Sequence, residues 1–308
     1  MASSDTPSAT WQLTSDLDQF LDRAGDFLRS DPAAHTALLS VSDTLRTRGI
    51  HVYGERDPLF GIHTEGGGTE GSGSGADGAV DGVFLWTPPH RLSLSPLTDK
   101  AAADDLAALL ADAGEELPGV GAERETAEAF AQAWQRNTGA VAEVSYRDRL
   151  YRLGTLTPPD PAPEGAARVA TEADRELLTR WHREFAEALG ENAGMDSGTW
   201  ADSRIAYGGI TLWETPDGTP AAMAGRTRRV AGQARVAPVY TPAELRGRGY
   251  AGAATVEVSR AALADGADEV LLFADIANPT STGLYQRIGF RPVRDFAQYV
   301  FTRSGVTP

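Results

Sequence analysis

The chain has 308 residues, with 43 acidic against 28 basic side chains for a net charge of −15, and it contains no cysteine. That length suits two domains, each able to bury its own core, and the missing cysteine excludes a disulfide framework, a thiolate nucleophile and a cysteine metal site. No run approaches the roughly 18 apolar residues of a membrane span, and the opening Met-Ala-Ser-Ser-Asp lacks a basic, apolar leader, so a cytoplasmic protein without a membrane partner is expected.

In chain order, helical runs are expected at 15–28 and 34–48, strands at 59–63 and 80–86, and a further strand at 91–97 after the Pro88-Pro89 turn. Residues 65–78 are glycine- and serine-rich with no basic residue, which reads as a flexible hairpin tip rather than a phosphate loop. Helices follow at 98–113 and 123–136, and a long strand or strand pair at 143–153. Residues 157–163 hold four prolines, which favour a stiff extended connector, so the domain boundary is placed near 160, giving domains 1–160 and 161–308.

Beyond it, 167–170 reads as a strand and 174–189 as an amphipathic helix with Leu177, Leu178, Trp181, Phe185 and Leu189 on one side. A second helix is expected at 200–207. Strands are expected at 209–213 and 221–230, separated by the Thr215-Pro-Asp-Gly218 turn, and at 233–241. A helix with Ala254, Val258, Ala261 and Ala262 at helical spacing comes next, then an apolar strand at 269–275. Asn278 and Pro279 suit the N-cap and first position of another helix, and strands at 290–295 and 299–302 finish the chain. The result is an α/β (α+β) layer structure. Both halves show the same order of elements.

The joint between the strand at 233–241 and its helix is the most informative stretch. It contains Arg246, Gly247, Arg248, Gly249, Tyr250 and Ala251. The first amides of a helix have no internal partner and point at whatever sits there. Gly247 and Gly249 permit close backbone approach, and Arg246 and Arg248 add charge suited to phosphate oxygens. A diphosphate is the ligand expected. The usual nucleotide loops are missing: there is no Gly-x-x-x-x-Gly-Lys-Ser/Thr, and no Gly-x-Gly-x-x-Gly with an acid about 20 residues on.

The pattern present, Arg-x-x-Gly-x-Ala over 246–251, resembles the pyrophosphate loop of the GNAT superfamily of acetyltransferases. A second pattern, Asn278, Ser281, Leu284, Tyr285, Gly289 and Phe290, is similar to the family's segment after its fifth strand. The resemblance covers about 165–303. It implies acetyl-CoA as cofactor, a mixed central sheet splayed between its fourth and fifth strands to admit the pantetheine arm, and tandem GNAT-like domains of which the C-terminal one is complete. It also implies cofactor contacts from Val239, Tyr240 and Thr241 at the strand end, from residues 246–251, and from Asn278 and Ser281. Tyr285 stands where the family keeps its general acid. The matching joint of the first half, Thr98-Asp-Lys-Ala-Ala-Ala-Asp104-Asp105, has no such loop and places acids where phosphates would sit. That half is expected to bind no cofactor; a non-homologous lid is the alternative.

The activity implied is N-acetylation of a small-molecule primary amine by direct transfer. A protein N-terminus or lysine as acceptor, or a non-catalytic acyl-CoA sensor, stays open. An amine of pKa about 10.4 must lose a proton before attack, which calls for a carboxylate base; a backbone N–H near Val239–Thr241 suits the oxyanion. Glu184 and Glu191 lie beside the apolar stripe of their helix, Glu187 points farther away, and Asp275 ends a strand. Glu184 is the choice among them. His182 reads as filler, and His35, His51, His63, His90 and His182 show no metal-ligand spacing. Residues 1–165 carry 26 acids and 12 bases, whereas 166–308 carry 17 and 16. The acidic half repels nucleic acid and suits a cationic amine acceptor. Monomer and homodimer remain equally open, and the arginine-for-lysine bias suggests a bacterial source.

Overall fold

The computed structural model describes residues 10–65, 78–188 and 196–303. Leu189, Glu191 and nearly all of the 65–78 segment lie outside them. The chain divides into two compact units, 1–147 with 295–308, and 148–294. Each division falls inside a strand, so the boundary expected near 160 lies within the second unit, and the last strand of the chain joins the first.

Unit 1 starts with strand β1 (Thr10–Thr14), helices α1 (Leu17–Ser30) and α2 (Thr36–Arg48), and strands β2 (Leu59–Thr64), β3 (Val80–Trp86) and β4 (Leu92–Leu94). Helix α3 (Lys100–Asp112), strand β5 (Gly119–Glu123), helix α4 (Arg124–Thr138) and strand β6 (Val141–Leu153) follow. Asp16 caps α1 through the amides of Asp18 and Gln19, and Asp99 caps α3 through that of Ala101. The sheet runs β1-β2-β3-β4-β5, antiparallel except for the parallel β4–β5 pair. It is completed by the end of strand β12 (Phe290–Thr302), where residues 296–300 pair antiparallel with β5. Phe301 from that strand stacks on Trp134 at 5.8 Å and meets Phe130 in the core.

That arrangement makes a prediction. Truncation after residue 294 strips β5 of its antiparallel partner, leaving only the short β4 pairing, and removes Phe301, whose loss alone is worth about 3–5 kcal/mol by the usual cost of emptying a buried phenylalanine site. This is a large part of a domain's margin of about 5–15 kcal/mol. Hydrogen exchange should show the amides of β5 and α4 losing protection. Protection equal to that of the full chain would contradict the exchange of strands.

Unit 2 repeats the order: β7 (Ala166–Val169), α5 (Arg175–Ala188), α6 (Ser197–Ile205), β8 (Ile210–Glu214), β9 (Pro220–Arg226), β10 (Gln233–Tyr240), α7 (Tyr250–Ala264), β11 (Glu269–Asp275), α8 (Pro279–Arg287), and then β12. Its sheet runs β7-β8-β9-β10-β11 and ends on β6, whose residues 148–152 pair with β11. The expected strand 221–230 stops at Arg226, because Ala231 (φ +50°) and Gly232 (φ +77°) turn the chain back into β10. The two strands expected at 290–302 are one. One face of the sheet packs α7 and α8 through Val256, Val258 and Ile288. The other packs α5 and α6 through Leu178, Trp181 and Trp200. No helix among the described residues is long and apolar enough to cross a membrane.

Candidate active site

The fourth and fifth strands of unit 2 part company where the resemblance requires. β10 and β11 pair in parallel from Gln233↔Glu269 to Val236↔Leu272 and no further. Beyond that, β10 pairs only with β9, through Val239↔Ala224 and Tyr240↔Met223, while Phe273, Ala274 and Asp275 of β11 pair with β6. The physical cause is local. Pro238 has no N–H for a ladder, and the register shifts between Val236 and Val239. Gly225 accommodates the bulge, since a Cβ there would stand 2.7 Å from the carbonyl oxygen of Ala237. A fork opens with strand-edge backbone groups on its β10 side.

At the mouth of the fork the chain turns into α7. Thr241 and Pro242 are buried, and residues 243–245 make one 3₁₀ turn. Arg246 donates from Nε to the Thr241 carbonyl at 3.0 Å, tying the loop back to the strand end. Gly247 (φ +77°) and Gly249 (φ +84°) hold the left-handed backbone that favours glycine. Gly249 is the N-cap of α7 and offers no side-chain cap. The first helical bond runs from the Ala253 N–H to the Gly249 carbonyl, so the amides of Tyr250, Ala251 and Gly252 have no intrahelical partner. Arg246 and Arg248 are exposed, and neither is ion-paired among the described residues. The proline-rich segment packs here: Pro159 and Pro163 flank the positions where Cβ atoms on Gly252 and Gly249 would stand, at 3.6 and 3.7 Å. It is a wall of the cradle, not a free linker.

Helix α8 supplies the next groups. Asn278 accepts from the Ser281 amide at 3.1 Å, so its side-chain oxygen is committed to capping. Gly289 (φ +109°) lies against the Thr155 carbonyl, which a Cβ would strike. This anchors the end of α8 and the start of β12, and Tyr285 meets Phe290 edge-on at 6.2 Å. Tyr285 is 9% exposed. Burial pushes its phenol up to about 12, and its hydroxyl has no hydrogen-bond partner among the described residues.

Side chains alternate across the end of β10. Val239 packs into the cluster that holds Tyr285, whereas Tyr240 packs against the cluster of Trp181 and Trp200. On that second face the Tyr240 hydroxyl donates to Oε2 of Glu184 at 2.7 Å. Oε1 of Glu184 has Arg180 Nε at 4.0 Å, and the carboxylate side chain is 40% exposed. The other acids are placed otherwise. Glu187 is exposed, and Asp275 binds the Ala277 amide at 2.8 Å as a turn residue. His182 bonds Ser197 Oγ at 2.9 Å and stacks on Trp200 at 4.2 Å. Burial and Arg204 push it down to about 4, so it is neutral.

Unit 1 shows the same positions closed. The joint between β4 and α3 spans 95–99, four residues shorter than 241–249, and has lost the arginines and glycines. Asp99 occupies the Ala101 amide at 2.9 Å. Counting from the N-caps, Thr126 and Phe130 of α4 take the places of Ser281 and Tyr285 of α8. Thr126 Oγ1 accepts from the Leu97 amide at 3.0 Å, so the chain itself fills the gap, and Phe130 has no hydroxyl. The counterpart of Tyr285, the wall formed by 159–163 and the pairing of Tyr240 with Glu184 were not anticipated from the sequence. The first was available by counting helix positions in both halves.

Comparison with known proteins agrees with this fold. Residues 215–300 match the family model described as FR47-like protein. No curated protein matches the chain by sequence. Among solved structures, a GCN5-related N-acetyltransferase from Sphaerobacter thermophilus is 17% identical, with 97% of this chain and 98% of that one covered and a TM-score of 0.60. A GNAT-family acetyltransferase from Colwellia psychrerythraea is 12% identical over 95% and 100% of the chains, with a TM-score of 0.55. A tandem GNAT protein from the clavulanic acid biosynthesis pathway is 12% identical over 98% and 100%, also with a TM-score of 0.55. The chain has the tandem GNAT fold.

Proposed function

We propose that unit 2 transfers an acetyl group from acetyl-CoA to the primary amine of a small molecule, directly and within a ternary complex. One observation carries the reading. β10 and β11 diverge beside the free amides of α7, with Tyr285 on one face of the fork and Glu184 on the other. The diphosphate would sit on the amides of Tyr250, Ala251 and Gly252, beside Arg246, Gly247, Arg248 and Gly249. The pantetheine arm would pair with the strand edge at Val239, Tyr240 and Thr241, and Asn278 and Ser281 would line its far wall. Unit 1, with Thr126 bridged to Leu97 and Phe130 in the tyrosine position, binds no cofactor in this reading.

The proton balance is simple. The ammonium of the acceptor loses a proton to Glu184, and the amine nitrogen attacks the thioester carbonyl. The oxyanion takes a backbone N–H of the β10 end. The C–N bond forms, the C–S bond breaks, and the departing thiolate takes its hydrogen bond and then its proton from Tyr285. The second proton of the attacking nitrogen, which the amide must lose, returns through solvent to Tyr285, and Glu184 releases the first to bulk water. The surplus of acids in residues 1–165, 26 against 12 bases, suits a cationic acceptor.

The test is release of free thiol from acetyl-CoA across a panel of polyamines, aminoglycosides, amino acids and peptides, with mass detection of the product. Acetylation of a small amine is the expected result. Acetylation of peptides alone would move the acceptor to a protein, and tight acetyl-CoA binding with no release would make unit 2 a sensor.

A further inference from the structure

The side chain of Tyr240 does something that a strand-edge contact with a cofactor would not require. Its ring is set beside Trp181 at 5.9 Å and packed against the cluster of Trp200, Ile210 and Met223. Its hydroxyl reaches 2.7 Å to Oε2 of Glu184, across 56 residues of sequence. Burial and Glu184 push the phenol up to about 12, so through the neutral range it remains a donor. Glu184, by contrast, is a flexible side chain with much rotamer freedom to lose on being fixed. Among the described residues its partner apart from Tyr240 is Arg180, at 4.0 Å and on its other oxygen.

We propose that Tyr240 is a positioning residue: its hydroxyl holds the Glu184 carboxylate at the open end of β10, leaving Oε1 to take the acceptor's proton. This rests on the reading of unit 2 as an amine acetyltransferase. A general base works only within hydrogen-bond reach of the proton it abstracts, and a misplacement of about 1 Å can cost about 10²-fold in rate. The alternation of β10 explains why one strand can do both jobs. Val239 faces the side of Tyr285 and Tyr240 the side of α5, so the strand that borders the fork also fixes the base on the opposite face.

The experiment is a mutant cycle on the full chain. Wild type, Tyr240→Phe, Glu184→Gln and the double variant are mixed in excess over acetyl-CoA with n-butylamine as acceptor, and thiol release is followed in a single turnover. Acetyl-CoA affinity is measured by calorimetry in parallel. Tyr240→Phe should slow release about 10–100-fold with cofactor affinity unchanged, and the double variant should be no slower than Glu184→Gln. If Tyr240→Phe slows release by the same factor in both backgrounds, its role is structural and the proposal fails; a general loss of fold would give that result. If Glu184→Gln is slow but Tyr240→Phe is as fast as wild type, the positioning role alone fails. If wild type is no faster than Glu184→Gln, the assignment of the base fails and takes this proposal with it.

Discussion

Tyr285→Phe should lower kcat by about 10²–10⁴-fold, the usual contribution of an acid–base group, while acetyl-CoA affinity stays near that of wild type. The hydroxyl has no partner among the described residues, so its loss breaks no protein hydrogen bond, and the ring keeps its edge-on contact with Phe290 at 6.2 Å. The melting temperature should therefore move by no more than about 2 °C, the shift expected for a few tenths of a kcal/mol. The phenol is pushed up to about 12 by burial, whereas an ordinary thiol ionises near 8.5. In the proposed mechanism a phenol raised in this way acts by donating a hydrogen bond into the charge growing on sulfur, and gives up its proton late. Single-turnover kinetics check this. Wild-type turnover in Tyr285→Phe would make the residue a core aromatic, as Phe130 is in unit 1.

Gly249→Asp should reduce acetyl-CoA affinity by about 10²-fold or more. The new side chain has room, since the atoms nearest its Cβ would be those of Pro163 at 3.7 Å, and the strain of a side chain at φ +84° is one that aspartate bears better than most residues. The variant should fold. The damage is electrostatic and local. A carboxylate at the N-cap takes the amides of α7 for itself and repels a diphosphate. Losing two hydrogen bonds to a charged ligand at about 1.5–3 kcal/mol each accounts for the magnitude. Arg246→Ala should cost less, about 1–3 kcal/mol, part of it through the lost tie from Arg246 to the Thr241 carbonyl. Calorimetry with acetyl-CoA reads both. Unchanged affinity in a folded Gly249→Asp variant would remove the diphosphate from α7.

Local features of this chain were legible. Strands β3 and β11 start and end where their apolar runs do, and the α7 joint shows its glycines and arginines directly. Short or polar edge elements were not legible. β1, Thr-Trp-Gln-Leu-Thr, has too few residues for a period to show, and β5, Gly-Val-Gly-Ala-Glu, carries two strand-weakening glycines. The exchange of last strands was hidden for a different reason. β6 and β12 are each 13 residues long, and an alternating strand pattern specifies a face and not which sheet receives it. The proline-rich segment misled because proline stiffens a connector and a wall alike; only the packing of Pro159 and Pro163 beside Gly252 and Gly249 separates the two. At the site, helix periodicity put Glu184 beside the apolar stripe, but its pairing with Tyr240 depends on a long-range contact.

The central claim is that the fork of unit 2 holds one acetyl-CoA and that unit 1, sealed by the Leu97–Thr126 bond and Phe130, holds none. Titration calorimetry of the full chain with acetyl-CoA tests this most directly. The account predicts a stoichiometry of one per chain, with the affinity of that site lowered about 10²-fold or more by Gly249→Asp; two equivalent sites per chain, or a site whose affinity Gly249→Asp leaves unchanged, would contradict it.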